Sequence, residues 1–115
     1  MAELAALPNV VVKLSGLSMP LCGFGWETRA QPPDSDEVAE TLAPWYLSVL
    51  ELFGPERCMF AANWPTDRAS CSYAVLWNAF KKIAAIGGMS QEDKLRVFSG
   101  NANRLYRCAG SPGKL

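Results

Sequence analysis

Two short apolar segments, separated by a long helical pattern, limit the folds open to this chain more than any other feature. Residues 10–15 (VVVKLS) and residues 57–61 (RCMFA) each have the length of a strand. In both segments the apolar residues are consecutive rather than alternating, which is typical of strands buried on both faces of a parallel sheet. Two such strands are too few to form a stable sheet in water. The pattern therefore predicts that further strands come from upstream sequence or from another chain.

Helical patterns precede, separate and follow the two strands. They cover residues 2–7, residues 35–53, a segment that begins after Ser70 or Ser72 and ends at residue 86, and residues 91–98 and 101–108. Asp34 and Glu37 have the spacing of a capping box at the start of the second helix, which Pro44 is expected to divide into a short and a longer segment. Ser70 or Ser72 is expected to cap the third helix. Strands that alternate with helices indicate parallel pairing through crossover helices, so the predicted fold class is α/β.

The two long helices each carry an apolar stripe at spacings of three and four residues, which predicts that these side chains face a core. The stripes comprise Leu42, Trp45, Tyr46, Val49, Leu50 and Phe53 in one helix, and Tyr73, Leu76, Trp77, Phe80, Ile83 and Ala84 in the other. Ser90, with Asp93 three residues later, predicts a cap for the fourth helix.

A long loop over residues 17–35 follows the first strand and is rich in glycine and proline. It also contains Phe24 and Trp26, whose large apolar rings need a surface against which to pack. A long loop with aromatic residues after a buried strand is a candidate binding loop. The alternative is a loop that folds onto its own protein without binding a ligand.

The composition is that of an ordinary globular protein, with 50% hydrophobic and 19% charged residues. The 11 basic and 11 acidic residues balance, so the charge indicates neither a nucleic acid nor a membrane partner. No apolar run reaches the roughly 18 residues of a membrane span, and the first residues lack the pattern of a secretory signal. We therefore expect a cytoplasmic protein.

The chain contains four cysteines and no histidine. Cys22, Cys58, Cys71 and Cys108 show no paired spacing, so reduced thiols are expected in preference to a disulfide framework or thiol-based redox chemistry. Histidine is the commonest metal ligand and the usual imidazole base. Its absence excludes Ser-His-Asp, Cys-His and histidine-based metal sites within this chain, and no metal ligand is predicted.

Three segments resemble a known family. They are PNVVVKLSGL at residues 8–17, FGPERCMFAANWP at residues 53–65 and FSGNANRLY at residues 98–106. Their sequence, order and intervals are similar to the C-terminal end of the amidohydrolase-related (amidohydrolase 2) family, within the branch of predicted metal-dependent hydrolases that includes lactonases. The resemblance extends over residues 1–108, and residues 109–115 are expected to form a flexible tail.

The resemblance implies a (β/α)8 TIM barrel, of which this chain holds only the C-terminal part. The two strands would be the seventh and eighth of a barrel that usually takes about 250 residues. The histidines that bind a divalent metal such as zinc in relatives would lie on earlier strands, so we expect an incomplete barrel with no metal bound by this chain alone. Asn101, Arg104 and Tyr106 are interpreted as structural parts of a closing helix.

The chemistry that the resemblance implies is attack of water on the carbonyl of a lactone or an amide. A carboxylate at the end of the eighth strand accepts the proton of the water. Relatives often have GSDWP at this place, whereas residues 61–65 read AANWP and put Asn63 at the position of the aspartate. A neutral amide orients a water or a carbonyl but does not take up a proton. Asp67 is the nearest carboxylate, so Asn63 and Asp67 are the catalytic candidates, against the alternatives of turn and capping roles.

Four further residues are candidates for substrate binding. Lys13 lies on a strand predicted to be buried, where an uncompensated charge is costly, and Ser15 lies at the end of that strand. Trp26 and Trp64 are candidate walls of a pocket. The alternatives are an ion pair with a missing part of the barrel for Lys13 and ordinary packing for the two tryptophans.

The sequence thus predicts a portion of a metal-dependent, lactonase-like hydrolase that acts on a small cyclic ester or amide. The isolated chain is expected to be inactive, because the metal ligands, most strands and the usual base are absent from it. The alternative is a non-catalytic α/β interaction module that associates with itself or with a full-length barrel through its exposed strands.

Overall fold

Two parallel strands, β1 (Val12–Leu14) and β2 (Cys58–Phe60), lie side by side in a computed structural model that describes residues 1–108. Val12 lies opposite Cys58 and Leu14 opposite Phe60. The pairing confirms the parallel arrangement expected from a helix between the strands. Within the described residues the sheet has only these two strands, so each of them has one unpaired edge.

Five α-helices accompany the strands in the described part of the chain, in the predicted order. Their bounds are α1 Ala2–Ala5, α2 Ser35–Phe53, α3 Tyr73–Ile86, α4 Gln91–Leu95 and α5 Asn101–Tyr106. α1 precedes β1, α2 connects β1 to β2, and the other three helices follow β2. This mixed arrangement agrees with the predicted α/β class. The predicted flexible tail, residues 109–115, lies outside the described residues.

The first strand is shorter and less buried than the sequence predicted. β2 is buried along its whole length, as expected, whereas in β1 only Leu14 is buried and Lys13 is exposed. The prediction that β1 is buried on both faces, with Lys13 as a buried charge, is therefore wrong for this chain. The physical reason is that β1 has a neighbouring strand on one side only, so solvent reaches its other edge. Ser15 lies just beyond the end of β1 and is half-buried.

The core lies between the sheet and the helices α2 and α3, which pack against each other. Phe60 of β2 stacks on Phe80 of α3 with 4.8 Å between the ring centroids. Tyr46 of α2 packs edge-on against both rings, at 6.1 Å from each. Leu42 and Ile83 are fully buried beside them. Burial of one such aliphatic or aromatic side chain stabilises the fold by about 1.5–3 kcal/mol, so this cluster holds the two helices over the sheet.

Two members of the predicted apolar stripes do not reach the core. Trp45 of α2 is 61% exposed and Tyr73 at the start of α3 is 50% exposed, so the prediction that they face the core is wrong. A stripe predicts which side of a helix turns inward, but it does not predict how far the partner surface extends. Trp45 borders a groove beside the open edge of β1, and Tyr73 borders a cleft at the start of α3.

The start of α2 follows the predicted cap. Asp34 accepts the N–H groups of Asp36 and Glu37 at 3.0 and 2.9 Å, and the bond from Glu37 lowers the pKa of the Asp34 carboxyl. The Glu37 carboxylate pairs with Arg29 instead of completing the capping box. α2 also continues through Pro44 without a break, contrary to the prediction of two segments. A proline removes one hydrogen bond from a helix, and the packing of α2 against α3 outweighs that loss.

The two serines predicted as alternative caps of α3 have different roles. Ser72, rather than Ser70, caps α3 by accepting an N–H from its first turn at 3.2 Å. Ser70 is buried and donates its hydroxyl to the carbonyl of Ser18. Ser90 caps α4 as predicted, by accepting the N–H of Asp93 at 3.1 Å.

The last helical segment is continuous. α4 passes through a π-helical turn, Arg96–Gly100, into α5, which ends at Tyr106 rather than at residue 108. Arg107 follows in the left-handed conformation with φ of 50°, which ends the helix. The two predicted helices of this region are thus one continuous helical segment.

Hydrogen bonds join α5 to the start of β2. The side-chain amide of Asn101 donates to the carbonyls of Pro55 and Cys58, at 2.6 and 2.7 Å. Arg104 donates to the carbonyl of Glu56 at 2.7 Å. These contacts agree with the structural interpretation of Asn101 and Arg104.

The four cysteines are free thiols in the described chain, as expected. Cys22 and Cys108 are exposed, whereas Cys58 and Cys71 are buried. Burial raises the pKa of Cys58 and of Cys71 to about 11, so both thiols are protonated at neutral pH. None of the helices within residues 1–108 has the length and apolar character that crossing a bilayer requires.

Candidate active site

The C-terminal ends of β1 and β2 lie at the same edge of the sheet because the strands are parallel. The N–H of Ala61 donates to the carbonyl of Leu14 at 3.2 Å, which keeps the two departing segments together just past the strands. Gly16 adopts φ of +81°, a left-handed conformation that favours glycine. A Cβ atom at Gly16 would lie 4.0 Å from the side-chain nitrogen of Asn63. The Asn63 amide therefore reaches the segment that follows β1.

Asn63 and Asp67 hold each other through two hydrogen bonds. One carboxylate oxygen of Asp67, Oδ2, accepts the N–H of Asn63 at 3.0 Å, and the N–H of Asp67 donates to the Asn63 carbonyl at 3.1 Å. The Asp67 carbonyl accepts the N–H groups of Ser70 and Cys71 at 3.0 and 3.2 Å. Asp67 lies in the turn Thr66–Ala69 and is buried there, with an exposure of 1%. The carboxylate thus closes its own turn and does not cap α3.

The second carboxylate oxygen of Asp67, Oδ1, is buried and has no hydrogen-bond partner among the described residues. A buried acceptor without a partner costs roughly 1–3 kcal/mol. Native proteins rarely leave a buried acceptor unpaired, so Oδ1 has the capacity to accept one further hydrogen bond.

The charge of Asp67 acts on two buried neighbours. Burial is the main cause that raises the pKa of Tyr46 and of Cys71, the latter to about 11, and the Asp67 carboxylate contributes to both shifts. The Tyr46 hydroxyl and the Cys71 thiol are therefore protonated at neutral pH.

Trp26 and Trp64 border the same cleft, which has a volume of about 370 Å³ and lies between the segments that follow β1 and β2. Trp26 is 4% exposed and stacks on Phe24 with 4.9 Å between centroids, so the loop after β1 packs onto its own protein while it borders the cleft. Trp64 stands perpendicular to Tyr73 with 5.3 Å between centroids. Arg68, which is exposed, also borders this cleft.

Lys13 and Ser15 lie apart from that cleft, in a separate groove of about 290 Å³. This groove runs beside the open edge of β1 and is bordered by Trp45, Tyr46 and Val49 of α2. Lys13 forms no ion pair within residues 1–108. The six candidate residues thus fall into three places: the Asn63–Asp67 pair, the cleft with the two tryptophans, and the groove beside β1.

Sequence reasoning missed three residues of this region. Tyr46 was assigned to the core, and its ring does pack there, but a residue pattern does not show that the Asp67 carboxylate contributes to the raised pKa of its hydroxyl. Tyr73 was also assigned to the core. Arg68 follows Asp67 directly, and a basic residue next to a candidate catalytic carboxylate is a signal that could have identified it.

The residues of the described chain do not fit a metal centre. No three histidine, cysteine, aspartate or glutamate side chains come together in a group that could hold an ion within residues 1–108. The free Asp67 oxygen is a single donor, whereas structural and catalytic zinc sites use three or four protein ligands. This chain therefore does not by itself supply the site for the divalent metal that the family resemblance implies.

Known proteins are similar to nearly the whole described chain. An uncharacterized protein of Sinorhizobium fredii, y4mH, is 36% identical over 107 residues, which cover 93% of this chain and 31% of that protein. L-fucono-1,5-lactonase of Burkholderia multivorans is 32% identical over 104 residues, which cover 90% of this chain and 32% of the lactonase. This chain spans about a third of the length of these curated relatives.

A solved structure is also similar to this chain. The crystal structure of an amidohydrolase from Burkholderia multivorans with bound zinc superposes with a TM-score of 0.76 at 29% identity, over 92% of this chain and 34% of that one. The model of the family described as Amidohydrolase matches residues 1–108. Because this match includes every residue that the structure describes, the chain belongs to the amidohydrolase family.

Proposed function

We propose that this chain is the C-terminal third of a (β/α)8 barrel hydrolase that opens a small cyclic ester or amide by attack of water. The observation that carries the proposal is the Asn63–Asp67 pair at the C-terminal end of β2, with one buried carboxylate oxygen left free. TIM barrels place their catalytic groups at this end of the strands. The lactonase among the relatives supports a cyclic ester as the class of substrate.

The open sheet supports an incomplete barrel. Each described strand has one unpaired edge, and closure into a barrel would pair both edges. In this proposal residues 1–108 form one piece of the barrel domain, and upstream strands cover the edge of β1 and the exposed ring of Trp45. This chain spans about a third of the length of the relatives, which is consistent with a piece of a larger barrel domain.

Asp67 is proposed to accept the proton of the attacking water through Oδ1, while Oδ2 keeps its bond to the Asn63 N–H. A carboxylate is the only group of the pair that can take up this proton. The side-chain amide of Asn63, beside Gly16, is proposed to donate a hydrogen bond to the substrate carbonyl or to orient the water.

The remaining candidates are proposed to contact the substrate from two sides. Trp26 and Trp64 would border it in the cleft, and Lys13 and Ser15 would bind its polar groups from the groove beside β1. The ligands of any divalent ion are proposed to lie outside this chain, because its own residues do not fit one.

A chimeric lactonase tests the proposal. The third of the Burkholderia multivorans L-fucono-1,5-lactonase that aligns with this chain would be replaced by residues 1–108, so that the lactonase supplies the other strands. We expect this chimera to hydrolyse L-fucono-1,5-lactone, whereas the isolated chain does not. Asp67→Asn keeps the shape of the side chain and an acceptor for the Asn63 N–H, but it cannot take up a proton. It should lower kcat/KM by about 100-fold or more.

The matched control is Lys81→Gln, which removes an exposed charge on the surface of α3 and should leave the rate unchanged. Thermal melting of each variant verifies that it is folded. A folded, active chimera whose rate is unaffected by Asp67→Asn would refute the role of Asp67. Hydrolysis by the isolated chain, free of contaminating enzyme, would refute the proposal that it is an incomplete enzyme.

A non-catalytic interaction module remains the second candidate, because the edge of β1 and the ring of Trp45 are open to solvent. A module should form a discrete oligomer that melts cooperatively, whereas a barrel fragment should aggregate through these apolar surfaces. Light scattering combined with size-exclusion chromatography of the 115-residue chain distinguishes the two.

A further inference from the structure

The turn that carries Asp67 is flanked by two contacts with the loop that follows β1. Before the turn, the Asn63 amide lies beside Gly16, where an added Cβ atom would be 4.0 Å from the amide nitrogen. After the turn, the Ser70 hydroxyl donates a hydrogen bond to the carbonyl of Ser18. Asp67 lies between these two contacts along the chain. Together they hold the turn against the segment at the end of β1.

Ser70 connects the main chain of the turn to that loop. Its N–H donates to the Asp67 carbonyl at 3.0 Å, while its hydroxyl donates to Ser18, a residue 52 positions away in the sequence. Ser70 is 3% exposed and Ser18 is 2% exposed. A hydrogen bond between buried groups is stronger than one in contact with water, so this bond fixes the two segments relative to each other.

The other hydrogen bonds of the Asp67 turn are local. The carboxylate and the N–H of Asp67 bond to Asn63, and its carbonyl accepts from Ser70 and Cys71. Such bonds determine the shape of a turn, but they do not determine its position relative to a distant segment. Of the side-chain hydrogen bonds that residues 63–71 form in the described chain, only that of Ser70 reaches a segment distant in sequence.

We propose that Ser70 is a positioning residue, which holds the carboxylate of Asp67 in place relative to the end of β1. The inference deepens the proposed function and rests on it, because Asp67 must be the group that takes up the proton of the water. A general base has to lie within hydrogen-bond distance of that water, and a displacement of about 1 Å can lower a rate about 100-fold. Ser70 borders the cleft with the two tryptophans, but its hydroxyl is buried and already bonded to Ser18, so it acts through Asp67 rather than on the substrate.

Steady-state kinetics of the chimeric lactonase that contains residues 1–108, with L-fucono-1,5-lactone as the substrate, test the inference. Ser70→Ala removes the hydroxyl and leaves the main-chain bond to Asp67 in place. We expect kcat to fall about tenfold or more while KM changes by less than about twofold, because a displaced base slows the chemical step without removing a contact to the substrate. Ser70→Thr keeps a hydroxyl and should recover most of the lost kcat.

The matched control is Ser90→Ala. Ser90 is exposed and caps α4 by accepting the N–H of Asp93 at 3.1 Å, so its substitution also destabilises the fold but does not affect the Asp67 turn. It should leave kcat and KM unchanged. Thermal melting verifies that each variant is folded at the temperature of the assay. Should Ser70→Ala fail to fold, Ser70→Cys, which has a similar size and a weaker donor, is measured in its place with the same expectation.

An unchanged kcat in the folded Ser70→Ala or Ser70→Cys variant, or a Ser70→Thr variant as slow as Ser70→Ala, would overturn the inference. A raised KM with an unchanged kcat would also overturn it, because that result would indicate direct contact with the substrate. The two proposals fail separately. A slow Asp67→Asn variant together with an unaffected Ser70→Ala variant would refute only the positioning role, whereas an unaffected Asp67→Asn variant would refute the role of Asp67 and this inference with it.

Discussion

The side chain of Asn101 joins the last helix to the first residues of β2, and its removal is the perturbation whose effect the structure defines best. Asn101 is 3% exposed, and its amide donates to the carbonyls of Pro55 and Cys58 at 2.6 and 2.7 Å. Asn101→Ala removes both bonds at once and leaves carbonyl groups without their donor in the interior. A typical bond contributes about 1 kcal/mol, and a buried group left unsatisfied costs about 1–3 kcal/mol. We therefore expect a loss of about 2–4 kcal/mol in the free energy of unfolding.

Urea unfolding of the chimeric lactonase that contains residues 1–108, followed by far-UV circular dichroism, measures this loss. Asn103→Ala is the matched control, because Asn103 is the same residue type on the same helix but is exposed. Its substitution should change the stability by less than about 0.5 kcal/mol. Asn101→Asp should destabilise more than Asn101→Ala at neutral pH, because it turns a negative charge toward two carbonyl oxygens. A loss below about 1 kcal/mol for Asn101→Ala would show that the two bonds are not the link between α5 and β2 that the distances indicate.

Two further predictions concern the backbone and the thiols. Gly16→Ala should destabilise the chain by about 1 kcal/mol in the same assay, because φ of +81° strains any residue that has a Cβ atom. The added Cβ atom would also lie 3.3 Å from the Met19 side chain. An unchanged stability would contradict the left-handed conformation. Stability should fall as the pH rises from about 9 to about 11, because the unfolded thiols of Cys58 and Cys71 ionise near their ordinary pKa of 9.0 while burial holds the native pKa near 11. Replacing both cysteines by alanine should weaken this dependence, and an unweakened dependence would show that other groups cause it.

Local features of the fold were readable from the sequence because each depends on neighbours a few residues apart. The cap at Asp34 needs only the N–H groups of Asp36 and Glu37, and the cap at Ser90 needs only the next turn. For α3 the sequence left Ser70 and Ser72 as alternatives, and the structure decided for Ser72. The parallel pairing of the strands followed from the helix between them. The family, too, was identified from short segments, and the family match over residues 1–108 confirmed it.

Predictions failed where distant packing decides the outcome. Pro44 does not interrupt α2, because the contact of α2 with α3 stabilises a continuous helix. Trp45 belongs to an apolar stripe and yet stays exposed, because no described residue covers that part of α2. Lys13 is exposed for the same reason on the open edge of β1.

The sequence by itself determined the α/β class, the order of the elements, the family and the identity of the candidate residues, because these follow from local patterns and motifs. Only the tertiary structure decided how the candidates are grouped. It buried Asp67 with one oxygen free, brought Trp26 and Trp64 to one cleft, and left Lys13 and Ser15 in another. The physical reason is that each grouping depends on how segments distant in sequence come together on a shared core, and no residue pattern within one segment carries that information.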